Sequence, residues 1–397
     1  MSLSKRVSKI NISSTMKIAQ EAKEMLMKGV DVIDLSVGEL DYPTPPNVKD
    51  AAIKAIENNF TKYTINSGII ELREAISNKL KKENNLEYSP IEIIVSNGAK
   101  QSVFNAIQSI INEDDEVIFS SPYWVSYPEM VSLAQGKSVI IPTSEEDGFK
   151  IKPEKLKEAI SSRTKLLILC NPSNPTGALY SREELQKIAE IVEQENFYVI
   201  SDEIYEKMVY DGNEFVSFAS LSPKVKSKTI VINGLSKSYA MTGWRLGYAA
   251  GPQHIIKSMN KIQSHSTSNA SSISQAAALE ALQGPQSFIE EMKNDYQKRR
   301  DFFCKKINSI KGISCFKPQG AFYLFPNVES FFGKSTNIFR IEHSFDLAMY
   351  LLYEAKVATV PGSSFGLEGY LRMSYTSSLE KLGEAAERIK IALDKLS

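Results

Sequence analysis

The sequence is poor in residues that bind metals or form disulfides. It contains 3 cysteines and 3 histidines in 397 residues, and neither type occurs at metal-ligand spacing, so no metal site is expected. Three cysteines cannot all pair and none lies in a C-x-x-C motif, which predicts a reducing compartment. Cys170 lies in the apolar run LLILC and is predicted to be a small core residue.

Net charge and long apolar runs are absent as well. Lysine plus arginine balance aspartate plus glutamate at 47 each, so no overall field attracts the chain to nucleic acid or anionic membrane. No apolar run approaches membrane-spanning length, and the N-terminal MSLSKRVSKINISS has no signal-peptide core. We expect a soluble, cytoplasmic protein with small-molecule partners, and neither nucleic acid nor membrane as a partner.

Between about residues 50 and 285, short β-branched runs alternate with helical stretches. This pattern is typical of a largely parallel sheet covered by helices on both faces. In the helix predicted at 181–196, Ser181 can cap the first turn and Glu184 completes a capping box. The seven predicted strands are 91–96, 116–121, 138–143, 165–170, 197–202, 229–234 and 245–251.

The two ends of the chain are expected to combine into a second, smaller domain. A chain of 397 residues is too long for one simple core. We divide it into an N-terminal arm with part of the small domain (1–49), a large domain (50–285) and a small C-terminal α+β domain (286–397). The elements predicted in the two ends are a helix at 13–28 stopped by Gly29, a long helix at 287–308, short strands near 320–325 and 371–375, and a closing helix from 378.

The segment NGLSKSYAMTGWRLGY (233–248) places Lys237 eight residues before Arg245. A lysine amine can condense with an aldehyde to form a Schiff base, and an arginine can hold a phosphate through two parallel hydrogen bonds. The pair suits pyridoxal 5'-phosphate. Because a single lysine is usually a solvated surface residue, this interpretation depends on the other motifs.

Polar residues and a glycine follow four of the predicted strands. Asp202 follows YVIS, Asn171 and Asn174 follow LLILC, Gly98 follows IIVSN, and Lys237 follows TIVING. One such residue is usually a turn former. In an open parallel sheet, however, ligands bind beyond the carboxyl ends of the strands. The four strand ends together predict a pocket.

Together with NPSNPTG (171–177) and SDEIYE (201–206), the lysine segment resembles the class I aminotransferases of the aspartate aminotransferase family. The resemblance runs from about Ser4 to the C-terminus. SNGAKQS, SPYWVSYPEM and AMTGWRLGY are most similar to the bacterial and plant branch that holds aspartate and prephenate aminotransferases. It implies the α/β, type I fold of pyridoxal-phosphate enzymes: a large domain with a mostly parallel seven-stranded sheet, whose last strand is antiparallel, and a small α+β domain.

The resemblance implies a role for each of the central residues. Lys237 carries the cofactor as a Schiff base and moves the proton during transfer. Asp202 pairs with the pyridine nitrogen of the cofactor, while Tyr205 and Asn174 hydrogen-bond its phenolic oxygen and so lower the pKa of the Schiff base. The alternatives are a helix N-cap for Asp202, an amphipathic surface aromatic for Tyr205 and a turn residue for Asn174.

A phosphate seat is expected where SNGAKQS begins a helix. Gly98 and Ala99 stand at the helix start, whose free backbone N–H groups and dipole favour an anion. Ser236 and Arg245 are further donors that the resemblance implies. Many family members carry serine three residues before the lysine, where this chain has Gly234.

Four more residues match family positions around the cofactor and the substrate. Trp124 matches the aromatic that stacks on the pyridine ring, with core packing as its alternative. Arg372, in GYLRMSYTSS, matches the arginine that clamps the α-carboxylate, a bidentate task that suits a planar guanidinium. Gly38 matches the glycine whose backbone approaches that carboxylate, and is otherwise a turn residue. Tyr63 matches the residue that reaches the phosphate of the neighbouring subunit, which implies a homodimer with shared active sites.

The implied activity is ping-pong transamination between L-aspartate and 2-oxoglutarate, with prephenate conversion to arogenate as a further expectation. Lys100 and Thr15 match positions in the prephenate-active members of the branch, and Lys100 also lies next to the expected phosphate seat. The alternatives are a solvated first-turn lysine and a capping threonine.

Other functions would retain the same cofactor residues. These are an aromatic or alanine aminotransferase, a carbon–sulfur lyase and a cyclopropane-forming synthase on the same fold. A non-enzyme alternative is a cofactor-sensing regulatory domain of the kind fused to DNA-binding modules. Because the motifs extend over nearly all 397 residues, no such module is expected within them.

Overall fold

A computed structural model describes residues 4–10 and 14–397 of the chain, with the side chains of 14–16 excepted. None of the helices in these ranges is long and apolar enough to cross a membrane. The strands are β1 (Ile33–Asp34), β2 (Ile93–Ser96), β3 (Glu116–Ser121), β4 (Lys137–Pro142), β5 (Thr164–Cys170), β6 (Tyr198–Asp202), β7 (Thr229–Gly234), β8 (Gly247–Ala250), β9 (Tyr323–Leu324), β10 (Val357–Ala358), β11 (Val360–Pro361) and β12 (Leu371–Ser374). The α-helices are α1 (Ser14–Met27), α2 (Pro46–Glu57), α3 (Ile70–Asn84), α4 (Ala99–Ile110), α5 (Ser126–Leu133), α6 (Pro153–Ala159), α7 (Arg182–Gln194), α8 (Pro223–Lys226), α9 (Gln253–Ser264), α10 (Ser272–Gln283), α11 (Ser287–Asn308), α12 (Ser344–Tyr350) and α13 (Leu379–Leu393).

The main sheet contains all seven strands that the sequence predicts between residues 91 and 251. Their order is β2-β8-β7-β6-β5-β3-β4. β8 is antiparallel to both of its neighbours, and the other pairs are parallel. Every residue of β2 and β7 is buried, because helices cover both faces of the sheet. The predicted α/β fold with one antiparallel strand is confirmed.

Local signals set the ends of several helices. Ser181 Oγ accepts a hydrogen bond from the Glu184 N–H, and the Glu184 carboxylate accepts one from the Ser181 N–H, so the predicted capping box begins α7. After α1, Gly29 has φ +80°, the left-handed conformation that stops a helix at low cost in glycine. The long helix α11 has the predicted bounds of 287–308.

The two ends of the chain share one hydrophobic cluster. Ile18 of α1, Phe303 of α11 and Ile389 of α13 are fully buried in it. A two-stranded parallel sheet, β1-β10, and an antiparallel sheet, β11-β12-β9, lie in the same part of the structure. The strands β1, β10 and β11 were not predicted, because a two-residue strand is too short to show an alternating pattern.

Candidate active site

A cavity of about 510 Å³ lies at the carboxyl edge of the main sheet. Because β2, β5, β6 and β7 run in the same direction, their carboxyl ends meet at this edge. The predicted site residues that line the cavity are Gly38, Ala99, Lys100, Trp124, Asn174, Asp202, Tyr205, Ser236, Lys237, Arg245 and Arg372. Its other lining residues include Ala19, Ser36, Val37, Glu39, Val125, Cys170, Ile204, Thr242, Tyr323 and Phe365.

Lys237 follows β7 and points its amine across the cavity to the N-terminal part of the chain. The Nζ donates a hydrogen bond to the Gly38 carbonyl. Burial lowers the pKa of Lys237 to about 8; Glu39 acts against this shift, and the positive charge of Arg372 adds to it. Near neutral pH, a much larger fraction of this amine is therefore unprotonated, and so nucleophilic, than for an ordinary lysine.

Asp202, the last residue of β6, is a buried carboxylate without a cationic partner among the described residues. It accepts hydrogen bonds from the Tyr127 hydroxyl at 2.7 Å and from the Ile204 N–H at 3.4 Å. Burial outweighs these bonds and raises the pKa of Asp202 to about 6. A cation placed beside this carboxylate would stabilise its charged form and lower its pKa.

Tyr127 is a site residue that sequence reasoning missed. It lies three residues after Trp124, and the two rings meet edge to face with centroids 5.3 Å apart. Its hydroxyl bond to Asp202 connects the aromatic wall of the cavity to the strand-end carboxylate. The i, i+3 spacing in SPYWVSYPEM is the signal that could have indicated it.

Arg372, on β12, is held at the cavity wall by two hydrogen bonds. Its Nη1 donates to Asn174 Oδ1 at 3.2 Å, and its Nη2 donates to the Ser36 carbonyl at 2.7 Å. The guanidinium carbon lies 4.5 Å from the ring centroid of Tyr323 and 5.0 Å from that of Phe365. The Nε is buried and has no hydrogen-bond partner in the described part of the chain. Such a donor is suited to an added carboxylate.

Close backbone approach shapes the site at the start of α4. Gly98 has φ +86°, and a Cβ there would lie 2.6 Å from Nη2 of Arg245. A Cβ on Gly247 would lie 2.2 Å from the Ala99 amide nitrogen. Glycine at both positions therefore lets the helix start and the guanidinium lie together as an anion seat. Gly234, which replaces the more common serine, lies in the same tight region, since its Cβ would be 3.0 Å from the Gly247 Cα.

Lys100 lies over the indole of Trp124. Its Nζ is 5.0 Å from the ring centroid. Much of the Lys100 side chain is exposed. Partial desolvation by neighbouring protein atoms is nevertheless the main cause that lowers the pKa of this amine, and the positive charge of Arg245 lowers it further. This position in the cavity wall favours the binding interpretation over a solvated surface lysine.

Two residues differ from the sequence prediction, and a third prediction stays untested. Cys170, predicted as a core residue, is half-buried in the cavity wall, because it is the last residue of β5, paired with Asp202 at the edge of the sheet that faces the cavity. Asn171 does not line the cavity, and its Oδ1 accepts a hydrogen bond from the Tyr180 N–H at 3.0 Å. Thr15 lies in the first turn of α1, and its side chain is outside the described residues.

Tyr63 does not line the cavity of its own chain. It is 90% exposed and lies beside a separate depression formed with Thr64, Asn66 and Ser264. Its predicted role toward a neighbouring subunit remains a prediction.

Comparison with known proteins places this fold and site in a family. The family model for aminotransferase class I and II matches residues 30–389. An aspartate aminotransferase of Bacillus subtilis is 47% identical over 397 residues, which cover 100% of both chains. A bifunctional aspartate aminotransferase and glutamate/aspartate-prephenate aminotransferase of Petunia hybrida is 47% identical over 99% of this chain and 83% of its own. The crystal structure of the Rhizobium meliloti aspartate aminotransferase matches with a TM-score of 0.96 at 45% identity, covering 100% of both chains.

The chain therefore belongs to the class I and II aminotransferases, and its fold is that of the type I pyridoxal-phosphate transferases. It is an aminotransferase that uses pyridoxal 5'-phosphate. The described residues fit this cofactor. Asp202 lacks the cation that a protonated ring nitrogen would supply. The glycine-lined helix start suits a phosphate.

Proposed function

We propose that the enzyme transfers the amino group of L-aspartate to 2-oxoglutarate, accepts prephenate as a further amino acceptor, and acts as a homodimer with shared active sites. The printed activities of the Bacillus subtilis and Petunia hybrida relatives support these substrates. The observation that carries the proposal is that two cations, Arg372 and Lys100, line the same cavity as Lys237. Two separate cations suit a substrate with two carboxylates.

Pyridoxal phosphate, when bound, supplies an electron-withdrawing ring that stabilises negative charge at the substrate α-carbon. Lys237 binds the cofactor covalently, and its freed amine removes the proton from the α-carbon as a general base. The pKa of about 8 keeps this amine able to accept a proton near neutral pH. Asp202, buried and anionic, holds the ring nitrogen in its protonated form.

Asn174 and Tyr205 are proposed to donate hydrogen bonds to the phenolic oxygen of the cofactor. Because Asn174 Oδ1 accepts from Arg372 at 3.2 Å, the amide is oriented with its Nδ2 as the remaining donor. Burial raises the pKa of Tyr205 well above its ordinary value, so its hydroxyl keeps its proton. Two donors at this phenolic oxygen favour its anionic form and so lower the pKa of the Schiff-base nitrogen that Lys237 contributes.

Gly98, Ala99, Ser236 and Arg245 are proposed to bind the phosphate, with Tyr63 of a second copy completing the seat. Trp124 covers the ring. Arg372 is proposed to bind the α-carboxylate beside the Gly38 backbone, and Lys100 to bind the second carboxylate, with Thr15 as a further contact from α1.

A two-stage titration tests the substrate assignment. The purified holoenzyme is titrated with aspartate, glutamate, alanine and aromatic amino acids while the cofactor spectrum is recorded. The amino form is then titrated with 2-oxoglutarate, oxaloacetate and prephenate. We expect aspartate and glutamate to convert the spectrum at the lowest concentrations and prephenate to restore it. A preference for alanine or aromatic amino acids, with prephenate inert, would overturn the substrates and leave the aminotransferase class intact.

A further inference from the structure

Tyr323 contacts three residues of the candidate active site. Its hydroxyl is 3.1 Å from the Tyr205 hydroxyl. Its ring centroid lies 4.5 Å from the guanidinium carbon of Arg372. A Cβ on Gly38 would lie 2.7 Å from the Tyr323 hydroxyl, so glycine at position 38 makes room for that hydroxyl. One side chain thus links the residues proposed to bind the cofactor and the substrate.

The position of Tyr323 is set by its strand pairing. Tyr323 begins β9 and is opposite Ser374 of β12, the strand that also carries Arg372. The register between β9 and β12 therefore holds the Tyr323 ring beside the guanidinium. The side chain is 1% exposed, and its ring lies 4.6 Å from that of Phe322. A buried aromatic with these contacts has little freedom to leave Arg372.

The hydroxyl contact with Tyr205 has a direction once the Tyr205 hydroxyl donates its hydrogen bond to the cofactor. A tyrosine hydroxyl has one donor and can also accept, so the Tyr205 oxygen then accepts from Tyr323. Burial raises the pKa of both phenols, so each keeps its proton near neutral pH. Hydrogen bonds in a chain polarise one another, which makes Tyr205 the stronger donor.

We propose that Tyr323 is a positioning residue with two separable tasks: its hydroxyl orients and polarises Tyr205, and its ring holds the Arg372 guanidinium toward the substrate carboxylate. This inference rests on the roles proposed above for Tyr205 and Arg372. It adds a residue that contacts both Tyr205, proposed to bind the cofactor, and Arg372, proposed to bind the substrate, and that acts through these two side chains.

Two substitutions separate the tasks. Tyr323→Phe keeps the ring and removes the hydroxyl. We expect the pKa of the Lys237–cofactor linkage, read from the absorption spectrum against pH, to rise by about 0.5 to 1 unit, the scale of one lost neutral hydrogen bond. KM for aspartate should stay near the wild-type value. Tyr323→Leu should show the same rise and, in addition, a kcat/KM for aspartate lower by roughly 3- to 30-fold than that of Tyr323→Phe, because the ring beneath Arg372 is lost.

A double-substitution cycle shows whether Tyr323 acts through Tyr205. Tyr205→Phe should raise the linkage pKa by itself, and adding Tyr323→Phe should then cause no further rise. A full additional rise would overturn the positioning role and indicate a direct contact with the cofactor. No rise in Tyr205→Phe would instead show that the proposed role of Tyr205 is wrong, so the two failures are distinguishable.

Tyr350→Phe is the matched control. Tyr350 is buried in the same hydrophobic cluster as Tyr323, and its hydroxyl donates to the Ala392 carbonyl at 2.6 Å outside the cavity. It should lower the melting temperature of the cofactor-free protein to an extent comparable with Tyr323→Phe and leave the linkage pKa and KM unchanged. An equal change of the linkage pKa in Tyr350→Phe would assign the effect to general loss of stability and overturn the inference.

Discussion

The Arg372 guanidinium on β12 donates a hydrogen bond to Oδ1 of Asn174, 3.2 Å away in the segment that follows β5. This bond joins the small antiparallel sheet to the carboxyl edge of the main sheet. Because Asn174 is proposed to contact the cofactor and Arg372 the substrate, the bond sets their relative position before either ligand is bound. The arginine is thus preorganised by groups from both parts of the chain.

Arg372→Lys should weaken productive substrate binding. Lysine retains one charge but loses the planar donors that contact Asn174 and Ser36. We expect kcat/KM for aspartate to fall by an amount equivalent to about 2 to 5 kcal/mol of transition-state stabilisation, the scale for breaking a buried hydrogen-bonded charge pair. Arg340→Lys, whose side chain is 73% exposed beside Glu342, is the control and should leave kcat/KM unchanged. An unaltered value in Arg372→Lys for every amino acid would remove Arg372 from the site.

Lys237→Ala should abolish the covalent protein–cofactor bond and multiple-turnover transamination. No other lysine amine reaches the Gly38 carbonyl in the described part of the chain. Cofactor should still bind without covalent attachment, through the anion seat and Asp202. Mass spectrometry after borohydride reduction measures the bond, and wild type treated in parallel is the control. A reducible bond with near-normal turnover in the variant would show that another residue carries the cofactor.

Asp202→Asn should stabilise the cofactor-free protein at neutral pH. The folded pKa is about 6 and the ordinary value is 3.8, so the folded state binds more protons than the unfolded state between these values. Wild-type stability therefore falls relative to the variant as pH rises from about 4 to 6, by up to about 3 kcal/mol. Denaturant unfolding of cofactor-free protein from pH 4 to 8 measures the difference.

The cofactor should reverse this order, since a ring cation would stabilise the Asp202 carboxylate and not an amide. Asp147→Asn is the control with the opposite sign, because a hydrogen bond from Lys152 holds the pKa of this partly exposed carboxyl below its ordinary value. Parallel pH profiles for wild type and Asp202→Asn without cofactor would contradict the prediction.

Lys100→Ala should reduce activity with dicarboxylic substrates and prephenate more than activity with alanine. The variant loses the ammonium that lies 5.0 Å from the Trp124 ring centroid. Steady-state kcat/KM for aspartate, prephenate and alanine measures the selectivity. Lys306→Ala removes a similar contact, with Phe302 at 5.8 Å, on an exposed part of α11 and should change none of the three. Unchanged dicarboxylate and prephenate activity in Lys100→Ala would exclude Lys100 as the second carboxylate site.

Tyr63 should act across a subunit boundary. Its side chain is 90% exposed and outside the cavity of its own chain. Mixing Lys237→Ala chains with Tyr63→Ala chains should form hybrid dimers in which one site has both an intact lysine and an intact tyrosine. Turnover above that of either parent is the expected result. Its absence, with chain exchange demonstrated by differently tagged subunits, would count against a shared site.

The sequence by itself determined the elements that depend on local periodicity and capping. All seven strands of the main sheet and the bounds of α11 follow from short β-branched runs and from helix signals, because such local patterns encode burial residue by residue. Strand-end polarity also predicted the edge at which the cavity lies, since parallel strands present their carboxyl ends together. The antiparallel direction of β8 came from the family resemblance, because spacing carries no strand direction.

Only the tertiary structure decided which side chains touch. Tyr323 and Tyr205 are 118 positions apart, and Arg372 and Asn174 are 198 apart, so no local pattern could indicate either contact. The strands β9 and β11 have two residues each, and both pair with β12. Their register is set by this long-range pairing and not by local propensity. The same holds for the pKa of Asp202 and of Lys237, because burial, which dominates both, is set by the packing of distant segments around the cavity.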